Sequence, residues 1–223
     1  TYKYEDFNKS GNTYTLKSNV PHYASEANTQ PGMPKYRDLN GDGVIDSNDR
    51  TVIGNGLPKH TGGFTNNFNY RDFDLSIFFQ WSYGNDVLNA NRLMFESSWN
   101  RTRELNQYAS YAERWTESNP TSNIPRATSS SSNRVFSSRI IEDGSFLRLK
   151  TVTLGYTVPR KMISRVGIEQ LRVYFAAQNL FTISNYSGYD PEVSIRESAL
   201  TPGLDFSAYP RARSFSFGIN LGF

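Results

Sequence analysis

The chain has 223 residues, and its 24 lysines and arginines almost balance its 21 aspartates and glutamates, so the net charge of +3 is too small to indicate a nucleic-acid partner. It contains no cysteine, which excludes disulfides and thiolate metal sites, and no apolar run long enough for a transmembrane helix. Its 15 Phe, 14 Tyr and 3 Trp would suit the interfacial girdles of a membrane β-barrel or a carbohydrate-binding surface equally well.

Strand-like alternation begins only at residue 61, and we expect residues 1–60 to form a loop region. The opening residues, Thr1-Tyr-Lys-Tyr-Glu-Asp6, have neither the basic nor the apolar segment of a signal peptide. If the protein is exported, we expect its true N-terminus to lie upstream of Thr1.

Residues 38–49, Asp-Leu-Asn-Gly-Asp-Gly-Val-Ile-Asp-Ser-Asn-Asp, carry oxygen ligands at the spacing of a calcium-binding loop. Gly43 allows the sharp turn that such a loop needs, and Ile45 supplies its apolar anchor. The last ligand is an aspartate where a standard EF-hand has a glutamate, and its shorter arm is expected to weaken binding. The predicted structural Ca²⁺ ligands are Asp38, Asn40, Asp42, Val44 through its carbonyl, Asp46 and Asp49.

The same residues also permit a simpler interpretation, in which the loop is a series of Asx-turns that needs no ion. The flanking segments lack two long amphipathic helices, so a signalling EF-hand is not expected. If calcium binds, its expected role is to make residues 36–56 rigid.

Five segments alternate apolar and polar residues with the period of a β-strand. They cover residues 61–70, 73–83, 146–158, 170–183 and 213–223. From residue 214 to the end of the last segment, alternate residues on one face are all apolar, and those on the other face are small or polar. The apolar set is Phe215, Phe217, Ile219, Leu221 and Phe223. Within the second segment, Phe78 is the single apolar residue on the polar parity.

Between the second and third strands, residues 86–96 and 103–115 show partial helical spacing, and Pro120 and the serines of 129–132 indicate irregular chain. The connections alternate in length, with tight turns near residues 71–72 and 159–167 and long segments at 84–145 and 184–212. This pattern is typical of an outer-membrane β-barrel with short periplasmic turns and long extracellular loops.

We therefore predict an all-β fold, in which about five strands of a transmembrane antiparallel barrel carry long extracellular loops with some helix. Five strands cannot close a barrel, and lipid does not tolerate open sheet edges, so we expect the C-terminal part of a larger barrel. A soluble sandwich would instead bury the apolar strand faces against a second sheet.

Several segments together resemble SusC/RagA-type TonB-dependent outer-membrane transporters of Bacteroidetes. They are Pro34 to Asn55, Glu142 to Tyr156, Ala177-Gln-Asn-Leu-Phe181, Tyr186-Ser-Gly-Tyr-Asp-Pro-Glu192 and Tyr209-Pro-Arg-Ala-Arg-Ser-Phe215. The resemblance covers residues 34–223 and implies an outer-membrane protein of Gram-negative bacteria. Its implied role is energised import of oligosaccharides, or sometimes peptides. A SusD-like surface lipoprotein would be its partner, and the TonB complex would act through a plug and TonB box that this chain lacks.

On the fourth strand, Arg172, Tyr174 and Gln178 share the polar parity, where they would line the solute path or brace the plug. Arg211 and Arg213 precede the last strand, where they would meet lipopolysaccharide phosphates or form a solvated strand end.

Catalysis finds little support, because His22 and His60 have neither a metal-ligand nor a triad spacing. We expect no enzyme. The alternatives from other classes are a secreted, calcium-stabilised carbohydrate-binding module and an adhesion domain.

Overall fold

The computed structural model describes residues 1–25, 28–98, 106–128, 136–164, 167–192 and 202–223. The chain divides into two units. The loop unit consists of Thr1–Ile53 and Asn89–Ile141, and the sheet unit consists of Gly54–Leu88 and Glu142–Phe223.

The described elements are mostly strands. In chain order they are β1 (Phe7–Ser10), β2 (Thr13–Leu16), β3 (His60–Tyr70), β4 (Phe73–Tyr83), β5 (Asp86–Asn89), α1 (Ala90–Phe95), β6 (Ile141–Asp143), β7 (Phe146–Thr157), α2 (Arg160–Ile163), β8 (Gln170–Ser184), β9 (Leu204–Asp205) and β10 (Ser214–Gly222). One-turn 3₁₀ segments lie at Tyr4–Asp6, Ser47–Asp49, Ala109–Glu113 and Ser138–Ile140. Across these ranges, no helix has the length and apolar character that spanning a bilayer requires.

A five-stranded antiparallel sheet with the order β10-β8-β7-β4-β3 forms the sheet unit's main element. Its strands lie within one or two residues of the five segments predicted from alternation, which confirms that prediction. The connection between β3 and β4 is two residues long, and Arg71 adopts a left-handed backbone conformation there, with φ of 55°. β3 and β10 are the two edges of this open sheet among the described strands.

One face of this sheet carries apolar side chains on all five strands, with His60 and Asn66 of β3 as polar exceptions. The strand registers align one row of side chains from edge to edge, made of Phe68, Leu75, Leu154, Phe175 and Phe217. Phe217 is 83% exposed and Phe64 is 54% exposed. Since these rings are exposed, no second sheet among the described residues covers this face, which argues against the sandwich alternative.

The opposite face is polar and made mostly of small side chains. Its central row consists of Asn67, Ser76, Thr153, Ala176 and Ser216. The predicted exception, Phe78, lies on this face between Thr65 and Thr151. A Cβ atom on Gly63 would lie 2.7 Å from the Phe78 ring, so the glycine leaves the room in which this ring packs.

A β-bulge shifts the alternation in β7. Lys150 is the extra residue of β7 where the register with β4 shifts, and the register between β7 and β8 shifts at the same place. On β8, Asn179 has a φ of 52° within this region. The bulge inserts one residue, so Leu147 and Leu149 join the apolar face although their parity differs from that of Val152. The sequence pattern alone does not indicate this change of phase.

The helical segments between β4 and β6 are shorter than those predicted for residues 86–96 and 103–115. Residues 86–89 form β5, which pairs with β6 and β9, and α1 begins only at Ala90, where the Asn89 side chain accepts a hydrogen bond from the Arg92 amide. Strand pairing therefore replaces the first turn of the expected helix. In the second predicted segment, residues 109–113 form a 3₁₀ turn, and residues 103–105 lie outside the described part.

The loop unit has its own small core. Tyr2, Phe7 and Met33 are buried together, and Tyr14, Leu16, Val20 and Tyr23 pack around them. Burial raises the pKa of Tyr2 to about 12. The hairpin of β1 and β2 belongs to this core and was not among the strands predicted from alternation.

Candidate functional site

The loop at residues 38–49 is attached to its neighbours through its centre. The Ile45 amide donates to the His22 carbonyl at 2.7 Å, and the His22 amide donates to the Gly43 carbonyl at 3.1 Å. Ile45 is buried, as expected for the apolar anchor. Gly43 has a φ of 84°, a left-handed conformation that favours glycine and produces the sharp turn.

The side chains of this loop accept hydrogen bonds from its own backbone. Asp38 accepts from the Gly41 amide at 2.6 Å and from the Gly43 amide at 2.9 Å. The Asp42 carboxylate accepts a hydrogen bond from the Val44 amide at 2.8 Å. The Asn40 side chain donates through its Nδ2 to the Asp42 carboxylate and accepts through its Oδ1 from the Asp42 backbone amide. These are the Asx-turns of the alternative interpretation.

Asp49 closes the loop. Its carboxylate accepts the Leu39 amide at 2.7 Å and the Asp46 amide at 2.9 Å. Asp46 in turn caps the short 3₁₀ segment by accepting from the Asn48 amide. Because these amides favour the charged carboxylate, the pKa of Asp49 lies below its ordinary value.

Among the described residues, no three His, Asp or Glu side chains converge closely enough to hold a metal ion. The donor chemistry nevertheless fits calcium, because the six predicted ligands offer hard oxygens from one short loop. Each ionised carboxylate has about four lone-pair sites, and the amide contacts of Asp38 use two of them.

The three candidate solute-path residues lie on the polar face of β8. Arg172 forms a bidentate pair with Asp74 of β4, with distances of 3.1 Å and 2.5 Å. Gly155 of β7 lies beneath this pair, since a Cβ atom there would be 2.3 Å from the guanidinium. The Tyr174 ring packs over Gly218 of β10 and under the Arg172 guanidinium, whose centre is 5.4 Å from the ring centroid.

Gln178 is exposed and accepts a hydrogen bond from Ser214 at 3.4 Å. The structure therefore brings Arg172 and Tyr174 into contact and leaves Gln178 four residues beyond Tyr174 on the same face. Residue spacing did not predict Asp74 as the partner of Arg172, because 98 residues separate the two in the chain.

A buried ion-pair cluster was also missed. Arg148, the third residue of β7 and 2% exposed, pairs with Asp190 at 2.5 Å and with Glu192 at 3.0 Å. Lys150 and Arg211 lie 3.8 Å from the Glu192 carboxylate. The Arg211 amide also donates to Asp190 at 2.9 Å, so Arg211 belongs to this cluster. The signal in the sequence that could have indicated this cluster is an arginine between two leucines, Leu147 and Leu149, within a predicted strand.

His60 and Glu142 have structural partners. His60, on the apolar face, accepts a hydrogen bond from the Trp81 indole at 3.2 Å and stacks on Tyr83 with ring centroids 5.1 Å apart. Glu142 accepts hydrogen bonds from the amide and hydroxyl of Ser187. These contacts account for both residues without chemistry on a substrate.

The chain is similar to several characterised proteins, although no family model matches it. The TonB-dependent receptor P3 of Formosa agariphila is 34% identical over 200 residues, which is 87% of this chain and 19% of that receptor. The TonB-dependent receptor P26 of the same organism is 37% identical over 197 residues, 86% of this chain and 20% of the receptor. The TonB-dependent receptor SusC of Bacteroides thetaiotaomicron is 30% identical over 200 residues, 89% of this chain and 18% of SusC.

The chain is also similar to solved structures of one transporter in two states. The RagAB peptide importer in its closed-closed state matches with a TM-score of 0.69 and 26% identity, over 85% of this chain and 20% of that one. Its open-open state matches with a TM-score of 0.62 and 28% identity, over 75% of this chain and 17% of that one.

A sheet with one exposed apolar face and one polar face, and with these relatives, defines a β-barrel receptor of the outer membrane. Within that class, the chain belongs to the SusC/RagA type of TonB-dependent receptors. It spans about a fifth of the length of the curated relatives that it matches.

Proposed function

We propose that the whole protein is a TonB-dependent transporter that imports oligosaccharides or peptides across the outer membrane. The observation that carries the proposal is the continuous apolar face of β3, β4, β7, β8 and β10 in a chain of this family. A polar face opposite it would be turned to a wet lumen, and the apolar face to lipid.

In this proposal the two edge strands, β3 and β10, pair with further strands of a larger barrel. The strands must pair because each unpaired backbone amide or carbonyl in lipid costs several kcal/mol. The loop unit would lie on the extracellular side, and the short β3–β4 and β7–β8 connections on the periplasmic side.

The proposed partners are a SusD-like surface lipoprotein and the TonB complex, with lipopolysaccharide around the barrel. The similarity to SusC and to the RagAB importer supports the lipoprotein partner. The relatives are receptors and transporters, so we propose no catalytic role. The exposed apolar face argues against a secreted carbohydrate-binding or adhesion domain, which would bury it.

On the polar face, we propose that Arg172, Tyr174 and Gln178 line the solute path. The Arg172–Asp74 pair crosses three strands and leaves the guanidinium partly exposed. A neutralised pair of this kind offers hydrogen bonds without a large local charge, which suits uncharged solutes.

For the loop at residues 38–49, we propose structural calcium binding. The ion would take its ligands from Asp38, Asn40, Asp42, the Val44 carbonyl, Asp46 and Asp49, and it would make residues 36–56 rigid. Limited proteolysis of the full-length protein with and without a chelator tests this role. Faster cleavage within residues 36–56 after chelation is the expected result. Unchanged cleavage and thermal stability would exclude it.

The transport function is tested by deleting the full-length gene and measuring growth on panels of oligosaccharides and of peptides. Loss of growth on one solute class, restored by the intact gene and not by one whose TonB box is deleted, is the expected result. Unchanged growth and uptake on both panels would overturn the proposal.

A further inference from the structure

Two residues at the start of β7, Phe146 and Arg148, are almost fully buried although they lie on the polar face of the sheet. The register places Arg148 opposite Gln80 of β4 and Phe146 opposite Ser82, and directly paired residues of an antiparallel sheet share a face. Phe146 is 7% exposed and Arg148 only 2%, whereas Ser216 on the same face of β10 is exposed. Another part of the chain therefore covers the polar face at this end of β7.

The cover is the segment 186–192, which follows β8 and which we call the strap. Its contacts move along the chain toward the middle of β7: they are Ser187 with Glu142, Asp190 with Arg148, and Glu192 with both Arg148 and Lys150. Two residues of a strand span about 7 Å, so the strap advances by that distance over β7 between its last two contacts. It runs inward over the polar face and not away from the sheet.

The strap is held in one conformation by buried contacts along its length. The Tyr186 hydroxyl donates to the Asp205 carboxylate at 2.5 Å, and both residues are buried. Gly188 lies against the Tyr186 ring, because a Cβ atom there would be 2.4 Å from the ring. The Asp190 carboxylate accepts the Arg211 amide at 2.9 Å in addition to the Arg148 guanidinium. These satisfied, buried polar groups make the strap a rigid part of the sheet unit.

Tyr189 is the large side chain of the strap that stays uncovered. Its neighbour Asp190 is buried against β7, whereas Tyr189 is 83% exposed. The tyrosine ring therefore stands out from the side of the strap that does not bind the sheet. A tyrosine has only two side-chain torsions, so its ring fills space at a small cost in conformational entropy.

We propose that the strap, with Tyr189 on its free side, narrows the solute path at the extracellular mouth of the barrel and limits the cross-section of the solutes that enter. The inference rests on the proposed transport function, in which the polar face lines a wet lumen and the end of β8 next to the strap lies outside the cell. A segment bound to that face occupies space that the sheet alone would leave open. Arg172 and Tyr174 lie near the opposite end of β8, so this selection by shape precedes any contact with them.

The test compares the uptake of slender and bulky probes by cells that carry the full-length protein or its variants. The probes are linear and branched oligosaccharides of equal mass, and linear and branched peptides of equal mass, all with the same fluorescent label. Tyr189→Ala removes the ring from the strap, and Tyr189→Trp enlarges it. Tyr70→Ala is the matched control, because Tyr70 is an exposed tyrosine on the apolar face of β3.

A further variant, Glu192→Gln, loosens the strap and leaves the ring in place. It keeps the shape of the side chain but removes the charge that Arg148, Lys150 and Arg211 contact. Chymotrypsin cleavage after Tyr189 in detergent reports the loosening without any transport. The heat-dependent gel mobility of each variant shows that its barrel has folded.

Tyr189→Ala should raise the uptake of branched probes relative to linear ones by about tenfold, and Tyr189→Trp should lower this ratio, while the control keeps the native ratio. Glu192→Gln should shift the ratio in the direction of Tyr189→Ala and speed the cleavage after Tyr189. Equal ratios in all variants would overturn the constriction, and so would a shift of the same size in the control. Reduced uptake of both probe shapes by Tyr189→Ala would also overturn it, because the ring would then be a contact that solutes need.

Failure of this inference is distinguishable from failure of the proposed function. Growth that depends on the intact gene, together with unchanged uptake ratios, would overturn the constriction alone. Growth that never depends on the gene, together with no uptake of any probe, would overturn the transport function and the constriction with it. Unchanged cleavage of Glu192→Gln would overturn the anchoring of the strap by its ion pairs.

Discussion

At the scale of single residues, Arg148 shows how one buried charge can hold a loop onto a sheet. Its guanidinium contacts two carboxylates of the segment 190–192, and the Asp190 side chain is only 5% exposed. A buried ion pair is weak support for net stability, yet removing one partner leaves the other charge buried alone. The cluster therefore makes the position of the 186–192 segment depend on Arg148.

We expect Arg148→Met to destabilise the full-length protein by about 3–5 kcal/mol, because the buried Asp190 carboxylate loses its guanidinium partner. Denaturant unfolding in detergent measures the change. Arg160→Met is the control, since its pair with Glu169 is exposed on both sides at 3.9 Å and should contribute no more than about 1 kcal/mol. Equal effects in the two variants would contradict a special role for Arg148.

Asp49 gives a second prediction at this scale, one that depends on pH. Hydrogen bonds from the amides of Asp46 and Leu39 lower its folded-state pKa below the ordinary value of an aspartate. A lowered pKa means that this carboxylate contributes stability above its unfolded pKa of about 3.9 and loses it as pH falls through the folded value.

Pepsin digestion between about pH 5 and pH 2 should therefore show cleavage within residues 38–49 starting only below about pH 4. Asp49→Asn, which cannot ionise, should weaken that pH dependence. An Asp49→Asn loop with the same pH profile as the native loop would show that other groups control it.

At the scale of elements, the alternating sequence of β10 gives one strand an exposed apolar face and a polar face. Phe217 packs on Phe175 with ring centroids 4.9 Å apart and stays 83% exposed, whereas its neighbour Ser216 lies on the polar face opposite Ala176. One strand thus presents two different environments at adjacent positions, and substitutions there can separate a lipid-facing from a water-facing surface.

Phe217→Arg should cost about 2–4 kcal/mol when the full-length protein folds into lipid vesicles, provided that the residue faces the bilayer midplane. The adjacent Ser216→Arg should have little effect, because the polar face accepts a charge. Folding yield and unfolding in lipid measure both. Similar costs for the two variants, or a larger one for Ser216→Arg, would contradict the assignment of faces.

At the scale of the whole molecule, the described sheet is open and the chain spans about a fifth of its relatives. The full-length protein should partition into detergent, and its gel mobility should change on heating, because a closed barrel stays folded in detergent until it is heated. Full solubility without detergent would contradict the barrel.

The N-terminal region and the loop after β5 contribute to one compact unit, an arrangement that strand alternation does not reveal.

The five strands, their two faces and the family resemblance follow from the amino-acid sequence alone, because alternation and motif order are local properties of the chain. The Asx-turn geometry of residues 38–49 was also contained in it, since those contacts join residues close in sequence. The bulge near Lys150, the Arg148–Asp190 pair and the packing of Trp115 on Gly32 become apparent only in the folded chain. They depend on residues that are far apart in sequence: Arg148 and Asp190 are separated by 42 residues, and no local pattern specifies which distant side chain pairs with a buried charge.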